Sequence, residues 1–306
     1  MARIVFMGTP DYARRILEAI QSAQDDFLVV TKPDMPVGRH RQLTPSPVAE
    51  WAAMRGLPVL KPMRLKDARE VWESFQPDWI LTAAFGRILP SWALGLPRYG
   101  AYNLHASLLP RWRGPNPIAW AIRSGDPVTG VTLMRMDEGV DTGPIVSQVR
   151  MEIEQHETTG DLTMRLADAA AHLWLEARAP GVCCLPERPQ PTEGVIHAPK
   201  FDSLESRLDW ALPAERVDAW VRSMTPEPGA YTMLGSDRIK ILQASVSRMT
   251  AGDRPGLARL AGSDWLVAAG DNRSLRVSVI QPAGRRPMAP VDFARGRRGE
   301  TEWLLT

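Results

Sequence analysis

The chain has 306 residues, 44% of them hydrophobic and 24% charged, with 37 Lys and Arg against 35 Asp and Glu. This composition belongs to a soluble globular protein long enough for two cores, and its longest apolar runs are strand-sized, which excludes a membrane-spanning helix. The two adjacent cysteines, Cys183 and Cys184, and five scattered histidines fit neither a disulfide framework nor a metal site.

An apolar run, Arg3–Gly8, begins almost at Met1, predicting a first strand with no leader before it, and hence a cytoplasmic protein. In "TPDYARRILEAI", Ala13, Ile16, Leu17 and Ile20 recur at helical spacing. "FLVV" at Phe27–Val30 reads as a buried strand, "PVAEWAAMRG" as a helix, "PVL" as a short strand, "DAREVWESF" as a helix and Asp78–Gly86 as another buried strand. Such alternation argues for right-handed βαβ units and an α/β fold with a parallel sheet. "GTPDYA" lacks the glycines of a dinucleotide fingerprint, and Pro10 removes a donor where a pyrophosphate would need one. Further on, two extended runs within Val128–Ile153 flank the turn-rich "DEGVDTG", which predicts a hairpin at the sheet edge, and Asp161–Ala177 reads as a long amphipathic helix. A proline-rich stretch then breaks the periodicity. It separates domain 1–178 from domain 206–306, leaving 179–205 as a linker. The second domain shows one helix, "PAERVDAWVRSM", and the short strands "AYTML", "RIKILQASV", "DWLVAAG" and "SLRVSVIQP". That spacing predicts a small antiparallel barrel or sandwich.

The chemistry concentrates in "YNLHASLLPRWRGPNP". In an extended strand entering at Ala101, Asn103 and His105 project to one side, at the strand end where α/β sheets place their ligands. An amide donates hydrogen bonds without titrating, and an imidazole donates or exchanges a proton near neutrality. Together they suit an oxyanion developing on a carbonyl carbon, with nucleophile and leaving group both brought by substrates. An acidic partner is expected from Asp137 or Asp141. Asp141, between Gly139 and Gly143, can approach a ligand more closely, although Asp and Gly are also ordinary turn formers.

"NLHASLLPRWRG" with "GVTLMRMDEGVDTGPIV" resembles the folate-dependent formyltransferase superfamily. "RIVFMGTPDYA", "PDMPVGRHRQLTPSPV", "AAFGRILP", "EGVIHAPK" and "RLDW" bring it close to the branch that acts on tRNA. The resemblance covers Arg3 to about Tyr231; beyond that only the general character matches. It implies a Rossmann-like formyltransferase domain, a linker and an oligonucleotide-binding-type (OB-like) barrel. It also implies transfer from 10-formyltetrahydrofolate to the α-amine of methionyl-initiator tRNA, by a monomer that uses no metal. By position, Asn103 and His105 match the residues that hold the oxyanion, and Asp141 the carboxylate that assists proton removal. Phe85, Gly86, Ile88, Ser107, Leu108, Leu109 and Pro110 match the folate-contacting stretches. Arg39 and Arg41, in a segment rich in cations (Lys32, Arg55, Lys61, Arg64 and Lys66 against Asp34 and Glu50), match a loop that approaches the tRNA acceptor end. That charge also fits an ordinary solvated face.

Two departures stand out. Pro115-Asn116 replaces the small pair usual after "RWRG", and "IAWAI" replaces a more polar continuation. Formyltransferases acting on amino-sugar nucleotides share the Asn-x-His pair, so such an acceptor is the alternative. The basic loop and the barrel argue against it.

Overall fold

The computed structural model describes residues 1–22, 24–37, 41–179, 184–202, 204–297 and 301–306. The first strand and helix are β1 (Arg3–Gly8) and α1 (Asp11–Ile20), followed by β2 (Asp26–Val30). A small ribbon of β3 (Met35–Val37) and β4 (Gln42–Thr44) comes next, then α2 (Pro47–Met54) and β5 (Val59–Leu60). A 3-10 turn at Leu65–Ala68 leads into α3 (Arg69–Phe75), and β6 (Trp79–Ala83), α4 (Ser91–Leu94) and β7 (Ala101–His105) follow. Next are α5 (Pro117–Ser124), β8 (Val128–Arg135), β9 (Ile145–Glu152) and α6 (Thr159–Ala177). The chain divides into two units: Met1–Pro117 with Val128–Glu152 and Thr163–Pro199, and Ile118–Pro127 with Ile153–Leu162 and Lys200–Thr306.

The first unit is a seven-stranded sheet in the order β5-β2-β1-β6-β7-β8-β9. The five strands from β5 to β7 run parallel, and β8 and β9 add an antiparallel edge hairpin, as the sequence predicts. All five residues of β6 are buried, as expected of a central parallel strand covered on both faces. Tyr12, Ala13, Ile16, Leu17 and Ile20 form the buried stripe of α1. Ser46 caps α2 by accepting from the Ala49 amide at 3.1 Å, with Pro47 opening the helix. On one face of the sheet Val5, Met7, Val30, Ile80 and Phe85 pack with the fully buried Trp72. One difference from the sequence reading lies in Pro33–Val48, read there as a loop, where β3 and β4 pair antiparallel.

An ion pair secures the outer part of this unit. Arg178, just beyond α6, reaches Asp25 at 2.5 Å, and the carboxylate also accepts the Ala2 amide at 2.9 Å. Burial pushes the Asp25 carboxyl upward, but the Ala2 amide and the Arg178 guanidinium outweigh it and hold the group below its ordinary value of 3.8. A depressed carboxylate stabilises the fold above its unfolded pKa, and that contribution disappears as pH falls through the lower folded value. Arg178→Met should therefore raise the midpoint of acid unfolding, measured by circular dichroism, and change the neutral-pH melting temperature through loss of the pair.

The second unit adds α7 (Ala214–Met224), β10 (Ala230–Leu234), β11 (Asp237–Ser247), β12 (Leu257–Ala261), β13 (Asp264–Ala268), β14 (Ser274–Pro282), α8 (Pro290–Arg295) and β15 (Glu302–Leu304). These strands form one antiparallel sheet, β10-β11-β14-β13-β12-β15. The sheet curls back on itself: Met233 of β10 and Thr306, just past β15, exchange both backbone hydrogen bonds, at 2.7 and 2.9 Å. Closure removes the exposed edges that an open sheet would leave. Trp265 sits at the centre, fully buried, with Phe293 and Trp303 each 5.7 Å from it between ring centroids. Trp120 of α5 packs against Phe201 at 4.9 Å, and the Arg123 guanidinium lies over Trp220 at 4.1 Å.

Candidate active site

The site is built on β7, which is clamped between neighbours on both sides: Thr82 of β6 pairs with Asn103, and Thr132 of β8 with His105. Strand alternation sends Tyr102 and Leu104 into the apolar core, where both are 1% exposed. Asn103 and His105 face the other way, the first half-buried and the second buried.

Each polar group is oriented by a fixed partner. The Thr82 hydroxyl donates to Asn103 Oδ1 at 2.8 Å, which turns the amide's N–H groups outward, 3.4 Å from Asp141 Oδ1. His105 Nε2 lies 2.8 Å from the Trp112 carbonyl, which can only accept, so Nε2 carries the hydrogen. Nδ1 is left facing Asp141 Oδ1 at 3.6 Å, beyond hydrogen-bonding range. Asp141 therefore looks across a short gap at both side chains that the sequence pairs.

Asp141 arrives on the turn between β8 and β9 with φ +54, in the left-handed region. Its Oδ2 accepts the Gly114 amide at 2.8 Å. Asp137, at the start of that turn, accepts from the Thr142 hydroxyl and the Gly139 amide and closes the loop. The carboxylate at the site is thus Asp141, and Asp137 is the turn former.

The loop after β7 is held from below. Ser107 is fully buried and its hydroxyl donates to the Arg111 carbonyl at 2.7 Å. Thr132 donates to the Ser107 carbonyl at 2.7 Å and accepts the Leu109 amide at 3.1 Å, while Gln148 donates to the Leu109 carbonyl at 3.0 Å. Leu109 packs with Met134 and Ile145. Leu108 and Pro110 are half-buried. Beyond Arg111 the chain runs beside the later segment around His197: Arg113 N–H donates to Ile196 O, Ala198 N–H to Arg113 O, and Asn116 N–H to Ala198 O. Pro115 falls between the donors of this ladder, so its missing N–H removes none of these bonds.

Phe85, Gly86 and Ile88 follow β6, at the same carboxyl end of the parallel strands as His105. Phe85 is core, Gly86 exposed, and Ile88 66% exposed on a cavity of about 370 Å³ that also meets Met63, Arg64, Lys66, Arg87 and Trp92. Arg87 ties this segment down by donating to the Pro62 and Met63 carbonyls. Arg41 is exposed in the turn before β4, with φ +48, and Arg39 lies outside the described residues.

The sequence reading missed Thr82, Gly114 and Gln190. Thr82 carries a weak signal, a hydroxyl at the end of a buried apolar strand. Gly114 closes the quoted motif but nothing local ties it to Asp141, and Gln190 carries no signal, because their partners are distant in sequence.

Both units have relatives among known proteins. A family model described as formyl transferase matches residues 2–177, and one described as formyl transferase, C-terminal domain, matches residues 200–298. The methionyl-tRNA formyltransferase of Myxococcus xanthus strain DK1622 is 42% identical over 301 residues, covering 97% of this chain and 95% of that one. That of Xanthomonas campestris pv. campestris strain 8004 is 41% identical over 302 residues, 97% and 98%. Among solved structures, the N-formyltransferase of Helicobacter canadensis, in complex with folinic acid and dTDP-3-aminofucose, superimposes with a TM-score of 0.68 at 18% identity, covering 90% of this chain and 99% of that one. At that identity the likeness is one of fold.

Proposed function

This chain belongs to the formyl transferase family, and from that premise we infer that it transfers the formyl group of 10-formyltetrahydrofolate to the α-amine of methionine on initiator tRNA. The observation that carries the mechanism is the convergence of Asn103, His105 and Asp141 at one strand end with no nucleophilic side chain among them.

The folate supplies the electrophilic formyl carbon and departs as tetrahydrofolate once its N10 takes up a proton. The chain's residues do the rest. The methionyl amine adds to the formyl carbon and the carbonyl oxygen becomes an oxyanion. Asn103 Nδ2–H, held outward by Thr82, donates to that oxygen, and His105 Nδ1 donates beside it when protonated. Asp141 accepts the proton that the attacking nitrogen must lose, directly or through His105, and the same proton serves the departing N10.

Support for a folate comes from the cavity after β6. Met63, Ile88 and Trp92 offer apolar surface in this open depression, and Arg64, Lys66 and Arg87 add cations, which suits a flat aromatic body with a carboxylate tail. The tRNA is met by Arg39, Arg41 and the second unit, mainly through phosphates, so its binding should weaken steeply with salt.

Purified protein with 10-formyltetrahydrofolate should formylate methionyl-initiator tRNA and leave a dTDP-linked amino sugar unmodified under the same conditions. Formylation of the sugar alone would overturn the acceptor assignment.

A further inference from the structure

We propose that Gln190 is a positioning residue that aims Asp141 at the reacting amine. Its amide oxygen accepts from the Arg113 guanidinium at Nε (3.1 Å) and Nη2 (2.7 Å). Its amide nitrogen donates to the backbone carbonyls of Asp141 and Gly143, both at 2.8 Å. The orientation of the amide is forced, since a guanidinium cannot accept a hydrogen bond and a carbonyl cannot donate one. Two donors and both oxygen lone pairs are thereby all engaged.

What Gln190 joins gives this arrangement its meaning. On one side it grips the backbone at Asp141 and again two residues on, pinning the turn in which Asp141 adopts φ +54. On the other it holds Arg113, the residue before Gly114, whose N–H fixes Asp141 Oδ2. One side chain thus sets both the backbone that carries the carboxylate and the loop that receives it. Gln190 itself is well anchored: Pro189 and Pro191 flank it and restrict the chain. Two residues earlier Arg188 and Ile145 exchange both backbone hydrogen bonds, at 2.8 and 2.9 Å. A stretch that reads from sequence as a linker therefore serves the site.

The inference rests on the role given to Asp141 above, and the experiment separates the two. Steady-state kinetics with 10-formyltetrahydrofolate and methionyl-initiator tRNA would be run on wild type, Gln190→Glu, Gln190→Ala, Asp141→Asn and the double variant Asp141→Asn/Gln190→Ala, with thermal melting of each. Gln190→Glu is close to isosteric and still accepts from Arg113, but it presents oxygen where two carbonyls need a donor. Both single Gln190 variants should lose about tenfold or more in kcat, with KM for each substrate near wild type. In the Asp141→Asn background, Gln190→Ala should cost nothing further. Wild-type kcat in Gln190→Glu, a lowered melting temperature as the only change, or losses that multiply in the double variant would each overturn the proposal. Wild-type kcat in Asp141→Asn would instead overturn the reading beneath it, and this proposal with it.

Discussion

Asn103→Ala is expected to lower kcat for formyl transfer by about 10²- to 10³-fold, the usual cost of one oxyanion donor, about 2.7–4 kcal/mol. The loss should fall on kcat, with KM for both substrates near wild type, because negative charge on the formyl oxygen exists only in the transition state. Stability should change little. Asn103 is half-buried in the middle of β7, and its backbone is held by β6 and β8 whatever the side chain. Asn103→Asp makes a sharper test of sign. It keeps size and shape and still accepts from the Thr82 hydroxyl, but it places negative charge where the oxyanion develops and within reach of Asp141. It should be at least as inactive as Asn103→Ala. Single-turnover formylation followed by acid-gel separation of charged tRNAs would measure both, and wild-type kcat in either variant would remove Asn103 from the chemistry.

Much of this was legible in the sequence because the relevant signals are local. Period-2 alternation in "AYNLH" is enough to put Asn103 and His105 on one side of a strand, and an apolar run such as "WILTA" is enough to place β6 in the sheet centre. The strands Ala230–Leu234 and Ser274–Pro282 fall where their pattern puts them. β12, with the sequence LARLA, was missed, as were the three-residue β15 and the six-residue α8. Segments so short carry too little periodicity, and their pairing partners decide their state. At the site, composition left Asp137 and Asp141 open between catalysis and turn formation. The family resemblance points to Asp141, and the fold brings Gly114 to it across 27 residues. The roles of Gln190 and of the Ala198 backbone come from contacts of 49 and 85 residues' separation or so, and no local pattern encodes those.

The loop that makes this long-range contact is also the place where the smallest substitution should have a large effect. Gly114 adopts φ +118, which an L side chain rarely occupies, and a Cβ there would lie 2.9 Å from the Ala198 carbonyl oxygen. That oxygen cannot easily move, since it accepts the Asn116 amide at 3.2 Å while its own residue's amide donates to Arg113 at 2.7 Å. In Gly114→Ala the strain must be relieved by Gly114 itself, whose N–H is the donor that holds Asp141 Oδ2. Stability should fall by about 1–3 kcal/mol. The misdirected carboxylate should cost about a hundredfold in kcat, as displacements of about an ångström at a reacting centre can. Pro115→Ala is the matched control: it changes the adjoining position but touches none of these bonds, and it should retain wild-type kcat. Melting curves and kinetics on the two variants separate strain from aim. A Gly114→Ala protein that melts earlier yet turns over normally would show that Asp141 needs no donor from this loop. A protein that loses kcat while Pro115→Ala does not would place the aim of the carboxylate in one backbone N–H.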